Sequence, residues 1–422
     1  MHKVRNAGCA RGQVCISKRQ LHINSRLQYI KCSTYSSHNF VITSSVVMAS
    51  LRELTVACLC GAATHTFNVP SSSLPMQSQL CGCDTSRRIS GSLLTSYVNI
   101  THDKSERKPE LSPLTSYHSS ERLTRHFCST CGTQMYLEYH NDGHFEAAAG
   151  TLQLEDIEGV VEYQSCMWIE DTKDGGASDW LISIDGKHLK RWTQEAEESD
   201  EVPLEHYENR SDHHEPAQKP MYAHCHCGGV EFWVEPPNAA SRTARSDFSD
   251  SIVPYTHGRD ASANPSNVTW WLRDNDTRFL AGVCACHSCR RASGFDFAFW
   301  AFVPHVNIYL DSGLTKRFPE YGADHQNDYW GTMQSFRSSE DTNRTFCGRC
   351  GATIFWDGGS AKGGDGLIDV AVGLLDAESG ARAEELLRWW TDGRVSFEEF
   401  AVHQSLTRAL GEGFKNWARR KA

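Results

Sequence analysis

The chain has 422 residues, 39% of them hydrophobic and 22% charged, which describes a globular protein too long for a single hydrophobic core. The formal net charge is −10, yet residues 1–50 hold seven Lys/Arg and no acid, leaving −17 on the remainder. A body this acidic is a poor partner for nucleic acid or anionic membrane. No apolar run is long enough to cross a bilayer. The best, Phe295 to Leu310, is broken by Asp296, Pro304 and His305 and reads as buried strand.

Residues 1–50 form a basic, Ser-rich extension with three readings: a mitochondrial transit peptide, a disordered tail, or sequence upstream of a true start at Met48. Cys9, Cys15 and Cys32 in it have no metal-ligand spacing. A folded pattern, expected over 51–192, begins with Thr55-Val-Ala-Cys58-Leu-Cys60-Gly61, an alternating strand entering a tight turn. Cys81-Gly-Cys83-Asp-Thr-Ser86-Arg87-Arg88 follows, then Phe127-Cys128-Ser-Thr-Cys131-Gly132 and a strand-like run ending at Gly150. Residues 193–220 turn to Glu, Asp, His, Asn and Pro and read as an acidic linker. The order then repeats over 221–405. Cys225-His-Cys227-Gly matches the Cys58 region, Cys284-Ala-Cys286-His-Ser-Cys289-Arg290-Arg291 matches Cys81 to Arg88, and Phe346-Cys347-Gly-Arg-Cys350-Gly351 matches Phe127 to Gly132. The two-domain count therefore rests on an internal duplication as well as on length. The second copy carries a polar insertion, Ala239 to Thr277, expected as a loop. Residues 406–422 read as a basic tail able to form a short helix.

Thirteen of the 17 cysteines fall in C-x-C or C-x-x-C clusters. Clustering of this kind argues for metal ligation in a reducing compartment, the cytoplasm, or the mitochondrion if residues 1–47 are a transit peptide. The outer pairs Cys58, Cys60, Cys128 and Cys131, and Cys225, Cys227, Cys347 and Cys350, supply four thiolates each, the set for a closed structural zinc site. The inner trio Cys284, Cys286 and Cys289 supplies three and leaves a fourth position open, as a catalytic zinc requires. That position suits a substrate thiol, bound as thiolate, or a carbonyl oxygen. Arg290 and Arg291 would offset thiolate charge or grip a substrate carboxylate, unless they are a solvated basic pair. In the first copy Ser86 replaces the third cysteine, and a hydroxyl that stays protonated is a poor zinc ligand. Cys81 and Cys83 alone would hold zinc weakly unless Asp84 or a distant residue adds an oxygen, so about three zinc ions per chain are expected.

The order C-x-C-G, C-x-C-x-x-C-R, F-C-x-x-C-G resembles the family of glutathione-dependent formaldehyde-activating enzymes, which includes centromere protein V. It spans Leu54 to Gln404, once per half, with Gly150-Thr-Leu and Met167-Trp-Ile-Glu-Asp also similar. The resemblance implies an all-β fold of two tandem Mss4-like (β-tent) zinc-binding domains. It implies a carbon–sulfur lyase joining formaldehyde and glutathione, the co-substrate, into S-hydroxymethylglutathione. Carried over, Cys284, Cys286 and Cys289 would be catalytic, while Ser86 puts the first copy's activity in doubt. The competing readings are a non-catalytic zinc-binding interaction module and, by analogy with centromere protein V, a chromatin role that the acidic body disfavours.

Overall fold

The computed structural model describes residues 50–101, 108–207, 214–249, 252–318, 331–358, 366–392 and 394–421. The transit-peptide reading falls on residues outside this set. The chain is strand-rich, with four α-helices among the described residues: α1 (Asp84–Ser90), α2 (Arg259–Ser262), α3 (His287–Ser293) and α4 (Gln404–Lys421).

Each half is built on the same five-stranded antiparallel order. In the first it runs Tyr97–Asn99, Phe145–Ala148, Gln134–Tyr139, Leu123–Cys128, Leu114–His118. In the second it runs Ala298–Pro304, Leu367–Ala371, Thr353–Asp357, Thr342–Cys347, Met333–Ser339. The strand that delivers the inner cysteines, Met76–Cys81 or Arg278–Cys284, pairs in parallel with a later strand, Val161–Met167 or Leu387–Trp389. In the second half four antiparallel pairs, Ala281↔Ala301 to Cys284↔Ala298, fuse these units into one eight-stranded sheet. In the first half they are joined more loosely, by the isolated bridge Cys81↔Thr95 and by the Ser78 hydroxyl, which donates to Tyr97 O at 2.7 Å. The apolar run at 295–310 is buried strand over Ala298–Pro304, as expected.

The inner-site helices start and stop for local reasons. Cys83 and Cys286 sit at the N-caps, where each sulfur accepts a backbone N–H, from Ser86 and Cys289. Gly91 and Gly294 end the helices in the left-handed region. From there the two halves interlock by reciprocal contacts. Gly150 donates its N–H to Gly294 O, and Gly373 donates to Gly91 O, each at 2.9 Å. A Cβ at Gly150 would stand 2.3 Å from Phe295 N, and one at Gly373 would stand 2.6 Å from Arg87 O, so only glycine permits either approach. The rings of Phe127 and Phe346 meet edge-on across the same junction, their centroids 6.5 Å apart. Buried apolar side chains from Leu54 to Trp417 form one continuous core through both halves.

Three sequence expectations change in the folded chain. Residues 406–421 are not a free tail. Leu406, Leu410, Phe414 and Trp417 form a buried stripe on α4 at helical spacing, and Phe414 packs 4.8 Å from the Trp180 ring of the first half. Glu158 of the first half caps the same helix by accepting from Ser405 N and Oγ at 2.9 and 2.6 Å. The insertion at 239–277 is anchored rather than a plain loop, because Trp271 is fully buried and donates to Ser241 O at 3.1 Å. The start of the linker folds onto the first domain, with Val202 and Tyr207 buried and Trp168 N donating to Gln194 O at 2.9 Å.

Candidate metal centres

Both outer sets converge. The four sulfurs of Cys58, Cys60, Cys128 and Cys131 lie within 4.8 Å of one another, as do those of Cys225, Cys227, Cys347 and Cys350. Neighbouring sulfurs are 3.5 Å (Cys58–Cys60), 3.6 Å (Cys60–Cys128), 3.6 Å (Cys225–Cys227) and 3.5 Å (Cys227–Cys347) apart. A disulfide needs about 2.05 Å. A tetrahedron of thiolates around zinc at about 2.3 Å places its sulfurs about 3.8 Å apart, so the spacing fits zinc. Backbone N–H groups point at these sulfurs, Ala63 at Cys58 and Val230 at Cys225, each at 3.3 Å. Such donors stabilise thiolates. Without metal the thiols share protons. Hydrogen bonding from Cys225 lowers Cys227 to about 7 while Cys225 itself is raised, the pattern of thiols forced to share one site.

The inner trio also converges, with Cys284, Cys286 and Cys289 within 4.8 Å of one another. Hydrogen bonds from Cys284 and Cys289 hold Cys286 well below its usual value. Cys289 is pushed up to about 11: hydrogen bonding with Cys284 lowers it, and Cys286 together with burial more than reverses this. The positive charge at the trio comes from Arg344, which sequence reasoning missed. Arg344 is 4% exposed, and its Nη2 donates to Cys289 Sγ at 3.5 Å and Ser288 Oγ at 3.0 Å. Burial would depress the guanidinium, but the thiolate charge of Cys289, Cys286 and Cys284 outweighs it and the net shift is upward. A signal for it was present in the sequence, since Arg344 and Arg125 each stand three residues before an outer cysteine, Cys347 and Cys128.

The Arg290 and Arg291 assignment is corrected. Arg290 is 2% exposed; it pairs with Asp296 at 3.1 Å and donates to Leu152 O and Ala149 O of the first domain at 3.0 and 2.9 Å. Arg291 donates to Cys58 O of that domain at 3.2 Å. Successive helical residues are about 100° apart, so a residue following Cys289 on α3 leaves the cysteine face. Arg88, the counterpart of Arg291, crosses the other way to Leu374 O and Asp376. This pair fastens the domains together.

In the first domain Cys81 and Cys83 gain no third ligand from Cys, His, Asp or Glu among the described residues. Asp84 is paired with Arg87 and its side chain is 61% exposed. Ser86 Oγ instead accepts from Arg125 Nη2 at 3.2 Å, the contact that Cys289 makes with Arg344.

The description "glutathione-dependent formaldehyde-activating enzyme" matches residues 53–169 and 267–392, together more than half of the chain. The chain belongs to this family. Two tandem all-β, Mss4-like copies account for the repeated topology, and the Cys225–Cys227 pair lies ahead of the second matched segment yet completes its outer site. Comparisons with curated proteins and with solved structures give no match.

Proposed function

We propose that this family member is a zinc-dependent carbon–sulfur lyase that makes and breaks a thiol–aldehyde adduct, of the S-hydroxymethylglutathione type, through its second domain. The observation that supports this reading is the difference between the copies: three convergent thiols with Arg344 beside them in the second, two thiols and Ser86 in the first. Cys284, Cys286 and Cys289 would hold a zinc ion there. Bound with three protein ligands, zinc supplies an open position that stabilises the substrate sulfur as thiolate.

The chain's own residues prepare that position. Arg344 counters the negative charge of the trithiolate, which would otherwise repel an approaching thiolate or carboxylate. Capping of α3 by Cys286 and fusion of the inner strand into the large sheet fix the ligand sulfurs on rigid elements. In the forward direction the thiol loses its proton, its sulfur bonds the aldehyde carbon, and the carbonyl oxygen takes up a proton. The reverse path returns both components.

The test replaces Cys289 with Ser, reproducing the first copy. Zinc per chain should fall from three to two, and turnover of glutathione with formaldehyde should be lost while the fold is kept. Three zinc ions with unchanged turnover in Cys289→Ser would sink the assignment.

A further inference from the structure

The eight-stranded sheet of the second half carries a carboxyl group with no part in the chemistry above. Residues paired across neighbouring strands project to the same face of a sheet. Arg344 pairs with Trp356, Trp356 with Asp369 and Asp369 with Phe302, so these four form one row across the sheet. The face they share is the one from which Arg344 reaches Cys289. Further along, the pairs Trp300↔Gly282 and Ala298↔Cys284 put Cys284 on that face too, because alternate residues of a strand point the same way. Asp369 stands two strands from the strand of Arg344 and two from that of Cys284.

The first copy shows that such a position opens toward the inner site. Glu146 stands four residues before Gly150, as Asp369 does before Gly373, and it shares its row with Leu137 and Arg125. Glu146 and Arg125 line a cavity of about 600 Å³ together with Cys81, Cys83 and Ser86. The copies differ in how the acid is held. Tyr139 donates to Glu146 at 3.2 Å, whereas the counterpart of Tyr139 in the second copy is Gly358, which has no side chain to offer. Among the described residues no side chain hydrogen-bonds the Asp369 carboxyl, although the residue is partly buried. Burial raises this carboxyl well above the usual range; the charge of Arg344 opposes the shift and Asp357 adds to it, while Phe302 on the other neighbouring strand is apolar. Asp369 thus keeps its proton to a higher pH than an ordinary aspartate, as a proton donor working near neutral pH must.

We propose that Asp369 is the proton donor and acceptor of the second domain's reaction, delivering a proton to the aldehyde oxygen as the carbon–sulfur bond forms. The inference rests on the lyase reading above and adds the acid to it. In the forward direction the sulfur electron pair bonds the aldehyde carbon, the C=O π pair moves onto oxygen, and the Asp369 proton passes to that oxygen. The carboxylate left behind regains a proton from water. In reverse the carboxylate takes the hydroxyl proton, the carbonyl re-forms and the sulfur leaves with the C–S pair.

The test compares the zinc-loaded full chain with Asp369→Asn and Asp369→Glu, measuring turnover of glutathione with formaldehyde in both directions against pH and counting zinc. Asp369→Asn, close in size, should keep an ion at each of the three cysteine clusters while turnover falls on the order of a hundredfold, and Asp369→Glu should restore part of it. Adduct formation by the wild type should fall as rising pH strips the Asp369 proton, and adduct breakdown should rise through the same range. Asp369→Asn should lack both changes, which a merely structural role would leave in place. Infrared spectra give a reading independent of turnover: the wild type should show a protonated-carboxyl band that Asp369→Asn lacks and Asp369→Glu shifts, so either variant suffices if the other folds poorly. An active wild type whose Asp369→Asn variant keeps its rate and both pH limbs overturns the proposal and leaves the lyase reading standing, as does a carboxyl band unchanged in the variants. A zinc-loaded wild type with no turnover in either direction overturns both.

Discussion

Arg344→Met separates the electrostatic role of this residue from its packing. The Nη2 atom lies 3.5 Å from Cys289 Sγ. At an effective dielectric of about 20, a full charge pair at that distance is worth about 5 kcal/mol. With zinc bound, the complex carries one net negative charge centred further away, at about 6 Å, which reduces the figure to about 3 kcal/mol. At about 1.4 kcal/mol per tenfold, inner-site zinc affinity should fall roughly a hundredfold. The metal-free fold should respond as well. There Arg344 is the counter-charge to the buried cysteine trio, and its Nη2 also donates to Ser288 Oγ, so replacing it with an apolar side chain leaves the trio's charge buried and uncompensated. Chelator competition followed by zinc counting should therefore show one ion leaving at lower chelator concentration while the two outer ions stay. The melting temperature of the metal-free chain should fall. Unchanged affinity of the third ion would refute the claim that Arg344 supplies the charge at this site.

Two further outcomes follow from the domain junction. Burial would raise the Asp296 carboxyl, but His403 at 3.5 Å, Arg290 at 3.1 Å and the Tyr163 hydroxyl at 2.5 Å overcome this and hold it well below the carboxylate range. Its folded pKa is thus below its unfolded value near 3.9, so the stabilisation is complete at neutral pH and is lost as pH falls below about 4. The stability gap between wild type and Asp296→Asn, measured by denaturant titration, should be constant above that pH and close beneath it; a gap that widens on acidification would contradict the assignment. Gly150→Ala forces a methyl to within 2.3 Å of Phe295 N and 2.4 Å of Gly294 C, both backbone atoms. Since backbone cannot swing aside, a loss of about 2–3 kcal/mol is expected in thermal or denaturant melts, and a neutral Gly150→Ala would show that the junction is looser than its geometry implies.

The sequence alone determined the duplication, the all-β zinc-bearing class and the membership of every cysteine cluster. It could do so because metal ligands in tight turns keep short, fixed spacings that survive without any knowledge of the fold. The defect at Ser86 was legible for the same reason, as one copy read against the other. What only the tertiary structure decided was direction. Arg290 and Arg291 adjoin the inner cysteine trio in sequence yet point into the other domain, because one helical step rotates a side chain by about 100°. Arg344 is 55 residues from Cys289 in sequence and reaches it because its strand, Thr342–Cys347, carries it there. The cavity over Cys81 and Cys83 was likewise invisible, since its walls come from strands and turns between Gln77 and Ala196 that meet only once the sheets have closed.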